Sequence, residues 1–532
     1  MKNLLLSLLI ALSFISVNAQ RYAANLDMTV IKNYKKFEKS YEIYSIKKGS
    51  TYHVDSIYQI TTPIPNENNA NLSFYMNTPY AILEVDKDIV KHIKFDTPDI
   101  RSFWNAKVIT TVLPLLTQKG SQYELRSEME EEAFDFINKM QDNGLELSDP
   151  YLESYIYGLI AKIAPESLVD GRPCNVNLLI VQQPNPISLI YPNGTIVLST
   201  GLISCLHSED ELVAVLANEI SHFVLDHSVF NVNKSISRQK RQEFWAGLAT
   251  VATAATEVAV AAKTGYYVPG VPTLAMAVAT AEISDKVVDH LGMNFNREQR
   301  LEADSITKDV LRMLNYNESA LCSALKRINN RFSENRIFLG NINKAKDISL
   351  PARIDNLGNT ELLPANKRYE QIISFAVTSL VNMQFNMRHF RQAIALADQN
   401  INNGVACADD YLQKANCLLF LKNDRQTNIE ANQLIEEAKK LDAQNVNIYR
   451  LTVLIALRED NYDLAITLLH QYLEILGIDA DKPTEVQFNY RNSESYWALN
   501  MLSKIQAMRA SDNVNRRIYV KQLLDKLMFA PR

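Results

Sequence analysis

The sequence predicts an α+β protein: a mostly helical central domain with a small sheet, followed by an all-α array of helix pairs. Two observations carry that prediction. Residues 208–228, SEDELVAVLANEISHFVLDHS, set Leu212, Val213, Leu216, Ile220, Phe223 and Val224 at near-helical spacing, so one face is buried, and two β-rich stretches lie just ahead. Beyond residue 369 the apolar pattern is helical throughout and recurs with a 34-residue period.

Composition narrows the class. A 47% hydrophobic and 22% charged content suits a globular protein, and a net charge of −5 with no long basic run argues against nucleic acid as a partner. Residues 1–19, MKNLLLSLLIALSFISVNA, read as a signal peptide: Lys2 is the positive end, 4–15 the apolar core, and Val17-Asn18-Ala19 the small-residue cleavage site. Gln20 is then the first mature residue and the chain is exported; a retained membrane anchor is the alternative. Cys174, Cys205, Cys322, Cys407 and Cys417 are sparse, lack metal-site spacing and are expected as buried free thiols, with an oxidised pair as the alternative.

The elements follow in order. Residues 20–125 form a region of their own, with strands expected over 52–62 and 80–85 and no chemical motif; His53 and His92 stand alone. Helices are expected over 124–141 and 149–164, the second with Tyr151, Leu152, Tyr155, Ile156, Leu159 and Ile163 on one side. Residues 175–181 and 195–199 read as strands separated by the turn signals Pro184-Asn185-Pro186 and Pro192-Asn193-Gly194. Gly201-Leu202 leads into the 208–228 helix, whose start is marked by Ser208 and Glu211 as a capping box. A strand beside this helix suits an extended peptide added edge to edge, or is an ordinary core strand.

Within that helix, Asn218-Glu219-Ile220-Ser221-His222 is H-E-x-x-H with its first histidine replaced by asparagine. In the intact motif two histidines four residues apart share one helix face and grip zinc, and the glutamate is the general base. Here the general-base position, Glu219, and the second histidine, His222, remain.

The segment PNGTIVLSTGLISCLHSEDELVAVLANEISHFVLDH resembles the zinc metallopeptidases of the HtpX and CAAX-prenyl-peptidase family, a zincin-like group. Gly201-Leu202, Ser208, Asp210-Glu211-Leu212, Glu219, His222 and His227 match its pattern, and Asn218 does not. The resemblance runs over about 230 residues, from near 127 to near 357. Residues 296–304, NREQRLEAD, resemble the family's S-R-x-x-E-x-x-A-D, whose glutamate is the third zinc ligand; Arg297, Ala303 and Asp304 match, but Arg300 stands at the ligand position. Glu298 and Glu302 lie two residues away, roughly 200° round a helix, and do not point where the ligand must. Related periplasmic members place a histidine ahead of an arginine-isoleucine pair; Arg353-Ile354 is such a pair, but 333–352 contains no histidine.

Of the three ligands that the resemblance implies, only His222 survives, with Asn218 and Arg300 at its partner positions. His227, about 140° round a continuous helix from His222, cannot simply take over and, like Asp304, resembles a supporting residue. Nothing in the spacing of His290 brings it to the site. No cofactor is expected. Arg300 is expected to face Glu219 near where the zinc charge would lie, as a guanidinium–carboxylate pair joining two helices. The alanine-rich stretches 246–262 and 274–281 are broken by Glu257, Lys263 and GYYVPGVP (265–272) and read as buried or lid helices, with membrane contact of 246–281 as the alternative.

In the C-terminal part, Val377 to Tyr411 and Ala431 to Ala465 are each separated by 34 residues, whereas Ala393 to Ala431 and Tyr411 to Tyr449 are separated by 38, so one four-residue insertion near 422–428 explains both. A 34-residue helix-pair period is the tetratricopeptide (TPR) signature, and such arrays bind peptides or proteins on a concave face. Residues 493–508 and 513–528 are candidates for a last, capping pair. Signal peptide, peptidase-like domain and TPRs together resemble the BepA-like periplasmic architecture.

The expected organisation is a signal peptide (1–19), a strand-containing region (20–125), a zincin-like domain (126–360) and a TPR-type domain (366–532). The expected function is a periplasmic, non-catalytic protein-binding or quality-control factor for envelope proteins, with partners held by the TPR face and by the old substrate groove. The alternative is an active zinc endopeptidase with an unusual ligand set, acting on unfolded or misassembled envelope proteins.

Overall fold

The computed structural model describes residues 19–63, 70–117, 122–142, 146–168, 174–235, 295–334, 350–479 and 494–509. Residues 1–18 of the expected signal peptide, the alanine-rich stretch 246–281, His290 and most of the segment ahead of Arg353 lie outside the described residues, as does the last expected helix, 513–528.

The N-terminal region is more fully β than its sequence suggests. Strands β1 (Ala19–Val30), β4 (Thr51–Pro63), β5 (Ala70–Asn77), β6 (Ile82–Glu84) and β7 (Ile93–Phe95) form one antiparallel sheet in the order β6-β5-β4-β1-β7. Strands β2 (Tyr34–Glu38) and β3 (Tyr41–Ile46) form a separate hairpin between β1 and β4. Alternation puts Ala24, Leu26, Met28 and Val30 of β1 on the buried face, across a bulge at Asn25, whose φ is 49°. That face packs on helix α1 (Ile100–Lys107), which continues through a π-helical turn (Val108–Val112) into α2 (Leu113–Leu116). Asp99 and Ser102 cap α1 reciprocally. The fully buried Trp104 donates its indole N–H to the Ile163 carbonyl at 2.7 Å, joining this region to the central domain.

The central domain begins with α3 (Gln122–Asp142) and α4 (Pro150–Ile163), the latter started by the Asp149 cap. Leu152, Ile156, Leu159 and Ile163 are buried as the pattern predicts, whereas Tyr151 is exposed. A three-stranded sheet follows, ordered β8 (Asn177–Val181), β10 (Thr195–Ser199), β9 (Ser188–Ile190); β8 runs parallel and β9 antiparallel to the central β10. Strand β9 is short and was not expected from the sequence. The chain then turns through α5 (Thr200–Cys205) into α6 (Glu209–Val224). Gly201 permits this turn: a Cβ there would stand 2.2 Å from the Pro184 carbonyl oxygen. Helix α7 (His227–Ser235) follows, and α8 (Arg297–Met313) and α9 (Ala320–Glu334) pack on α6. The short α10 (Leu350–Asn356) packs on α9.

The remaining described helices come in pairs: α11 (Lys367–Asn386) with α12 (Phe390–Asn402), α13 (Ala408–Leu421) with α14 (Arg425–Leu441), and α15 (Val446–Arg458) with α16 (Tyr462–Ile475), followed by α17 (Glu494–Arg509). The second helices of the pairs have 13, 17 and 14 residues, so the expected insertion is taken up as an extra helical turn at the start of α14. Ala393, Ala431 and Ala465, in the second helix of each pair, are fully buried. Helix α11 docks on α5 through Tyr369, whose hydroxyl donates to the Ile203 carbonyl, and through Glu370, which lies 2.5 Å from His207 Nδ1. All five cysteines are free; four are buried, but Cys407 lies at the surface, contrary to expectation. No described helix is long and apolar enough to cross a membrane.

Candidate functional site

Helix α6 is held from both ends. At its start Ser208 Oγ accepts from the Glu211 N–H, and Glu211, itself fully buried, accepts from Arg327 Nε at 2.6 Å and from the His207 N–H at 2.7 Å. A buried carboxylate needs such partners, since an unpaired one costs several kcal/mol. At the other end the helix stops at Val224. Asp226 adopts a left-handed φ of 54° and pairs with the buried Arg126 of α3, and the chain re-enters a helix at His227.

This break corrects the expected relation of His222 to His227. Counting 140° assumes one continuous helix; the kink at Asp226 brings the rings together, Nδ1 to Nδ1 at 2.8 Å. That separation requires one ring to donate and the other to accept. His222 also stacks on Phe295, centroids 3.7 Å apart, and His227 Nε2 lies 3.6 Å from Glu302. Burial, together with His227, Arg300 and Arg353, holds His222 well below the usual histidine pKa, so it is neutral at pH 7.

Asn218 and Asp304 meet in a closed polar network. Asn218 Nδ2 donates to Asp304 Oδ1 at 3.1 Å and to Thr307 Oγ1 at 3.2 Å, while Asn218 Oδ1 accepts from Arg353 Nη2 at 3.3 Å. Arg353 grips Asp304 with two donors, Nε to Oδ2 at 3.1 Å and Nη2 to Oδ1. All four side chains are buried. The guanidinium contact that ties α6 to α8 here is therefore made by Arg353, from α10, and runs through Asp304 and Asn218. The expectation had assigned that role to Arg300 against Glu219. Arg300 is half-buried and its Nε donates to the Phe295 carbonyl at 2.8 Å. Its charge reaches Glu219 electrostatically, behind that of Arg353.

Glu219 lies on the other flank of α6, against β9. Ser188 Oγ donates to its carboxyl at 2.7 Å, and the Ile190 backbone N–H donates as well. Burial raises the Glu219 pKa; these two donors and the two arginines pull it back part of the way. Because β9 pairs with β10 through Leu189 and Val197, Ser188 and Ile190 turn their backbone groups to the outer edge, where Glu219 takes one of them. Ser188 was missed in the sequence. The signal was a short β-prone run, Ile187 to Tyr191, between two turn motifs.

A catalytic zinc needs three protein ligands and an open position. Among the described residues no group of three or more histidine, cysteine, aspartate or glutamate side chains is placed to hold a metal ion. At the expected ligand positions stand a histidine, an amide already bonded to three neighbours, and a guanidinium. This donor set does not fit zinc.

Residues 152–363 match the family model described as Peptidase family M48, which covers less than half of the chain. The match supports a relationship of the central segment to zinc metallopeptidases. None of the curated proteins compared matches the chain.

Proposed function

We propose that this chain is an exported, periplasmic protein that binds other polypeptides without cutting them, acting in quality control of envelope proteins. The observation that carries the reading is the buried network of Asn218, Asp304, Thr307 and Arg353 at the place where a metallopeptidase-related segment would hold its metal. Water without a metal keeps its bulk pKa, and Glu219, tied to Ser188 and Ile190, is left without an activated nucleophile to deprotonate. The signal-peptide pattern of residues 1–19 supports export.

The helix pairs supply the platform. Their 34-residue period and their buried alanines at equivalent positions support the TPR reading, and a TPR array offers a concave face for peptides. The edge strand Ser188–Ile190 beside α6 is a second place where an extended chain would lie. One observation favours the alternative of an active zinc endopeptidase: Glu219, though its carboxyl is largely desolvated, is half-buried as a residue and stands one turn from His222.

The test is zinc per chain by elemental analysis of protein purified without chelator or affinity-tag metal, together with cleavage of an unfolded protein by wild type and Glu219→Gln. Zinc well below one per chain and no cleavage are expected. Near-stoichiometric zinc with cleavage that the substitution abolishes overturns the proposal.

A further inference from the structure

The helix pairs carry a second set of buried polar groups that serves no part of the site above. Helices α11, α13 and α15 pack on one another in turn, whereas α12, α14 and α16 stand farther apart. The array therefore curves towards its first helices, which line the concave side. On α13, the middle one, Asp409, Gln413, Asn416 and Phe420 recur at i, i+4, i+7 and i+11 and form one stripe. Asp409 accepts from Asn445 Nδ2 at the start of α15, at 3.0 Å, and Phe420 packs on Phe385 of α11, with centroids 5.4 Å apart. Gln413 and Asn416 thus lie on the floor between α11 and α15.

These two side chains are 9% and 4% exposed, and within the protein they have only each other: Asn416 Nδ2 donates to Gln413 Oε1 at 3.4 Å. Gln413 Nε2 and Asn416 Oδ1 have no partner among the described residues, and neither atom is sealed from solvent, unlike the orphaned oxygens of Asn400 and Asn428. Carboxamides this deep, without a protein partner, are answered from outside the chain. The row continues on both sides. Asn382 of α11 lies between Thr378 and Phe385, which touch α13 through Asp410 and Phe420, and Asn447 of α15 follows the Asn445 that bonds Asp409. Both are half-buried, and their side chains make no hydrogen bond among the described residues. The neighbouring cations are engaged elsewhere: Lys414 pairs with Asp398 of α12 at 2.7 Å, and Arg450 covers the Trp497 ring at 4.8 Å.

A carboxamide is the side-chain copy of a peptide group, with an acceptor and donors in one plane. A row of them matches main-chain N–H and C=O groups whatever side chains these carry, whereas a carboxylate end calls for cations. We propose that Asn382, Gln413, Asn416 and Asn447 hold the main chain of an extended, unfolded polypeptide, at internal positions and with little regard for its sequence. The inference deepens the reading of the helix pairs as a polypeptide platform and rests on it.

The test is fluorescence anisotropy of the full chain with a fluorescein-tagged, uncharged peptide of Ser, Thr and Val whose C-terminus is amidated. It is compared with an acid-ended copy, a copy of shuffled sequence and a copy N-methylated at alternate residues, which lacks the N–H donors of one edge. The amidated, acid-ended and shuffled peptides should bind within about threefold of one another. The N-methylated copy should bind at least about tenfold more weakly. Gln413→Leu with Asn416→Leu should weaken binding at least about tenfold, and so should Asn382→Ala with Asn447→Ala. The thermal midpoint of the second double variant should hold, because its side chains are half-buried and unbonded. Equal binding of the N-methylated peptide, a preference of more than about tenfold for the acid end, or affinity that neither double variant alters overturns the inference and leaves the platform reading standing. No binding of any of these peptides overturns both. Zinc content and cleavage, which test the peptidase-like site, do not enter.

Discussion

Replacing Arg353 by methionine removes the group that closes the polar network between α6 and α8 while keeping much of its aliphatic bulk. The guanidinium donates twice to Asp304 and once to Asn218, with Asp304 3% and Arg353 7% exposed. Hydrogen bonds to a charged group contribute about 1.5–3 kcal/mol each, and removing one partner of a buried ion pair costs about 3–5 kcal/mol because the remaining charge is left unpaired. Asp304 would keep only the Asn218 amide. Arg353→Met should therefore lower unfolding stability by about 3–5 kcal/mol, read by guanidinium denaturation followed through tryptophan fluorescence. Adding Asp304→Leu removes the orphaned charge and should restore all but about 2 kcal/mol, the residue of an unpaired Asn218 oxygen. A cost below about 1 kcal/mol for Arg353→Met, or a double variant no better than the single, would refute the reasoning.

Glycine substitutions give a paired control. Gly201→Ala forces a Cβ to 2.2 Å from the Pro184 carbonyl oxygen and 2.7 Å from that of Asn185, and should cost about 1–3 kcal/mol. Gly158→Ala, in the exposed middle of α4 with nothing within 4 Å, should instead stabilise by about 0.5–1 kcal/mol; equal effects would contradict the packing described. The pH response follows from His222, held neutral by burial and faced by His227, Arg300 and Arg353. Its folded pKa is depressed, so the unfolded chain binds the extra proton and stability is lost as pH falls below about 6.5, by up to about 1.4 kcal/mol per unit. His222→Gln should flatten that slope in denaturation curves between pH 7 and 5, and an unchanged slope would assign the acid sensitivity elsewhere.

Where one physical rule dominates, the sequence and the structure agree. The α6 start was readable because a cap and three acidic residues coincide with an apolar stripe. Strand β10 was readable because a central strand is apolar on both faces, and β8, at the edge, because its Leu-Leu-Ile-Val run is bounded by turn residues. Strand β9 was missed because three residues carry too little period. Most of the N-terminal sheet was missed because the first half of β1, Gln20 to Ala24, carries few large apolar residues to alternate, and β2, β6 and β7 are too short to show a period. At the site, helical counting placed Asn218, Glu219 and His222 on α6 but failed wherever the helix ended: it kept His227 away from His222. It also favoured Arg300, at the position of the missing ligand, over Arg353, which only tertiary folding brings to Asp304.

The joining of α11 to α5 has a mechanical consequence. One apolar core runs without interruption from Ala24 of the N-terminal sheet to Cys417 of α13, whereas the helices beyond it are packed around two smaller cores of their own. The first helix pair is thus a rigid extension of the peptidase-like body, and the later pairs form a softer arm. A load applied at the far end would, among the described residues, meet the seams between these small cores before it reached the sheet and α6.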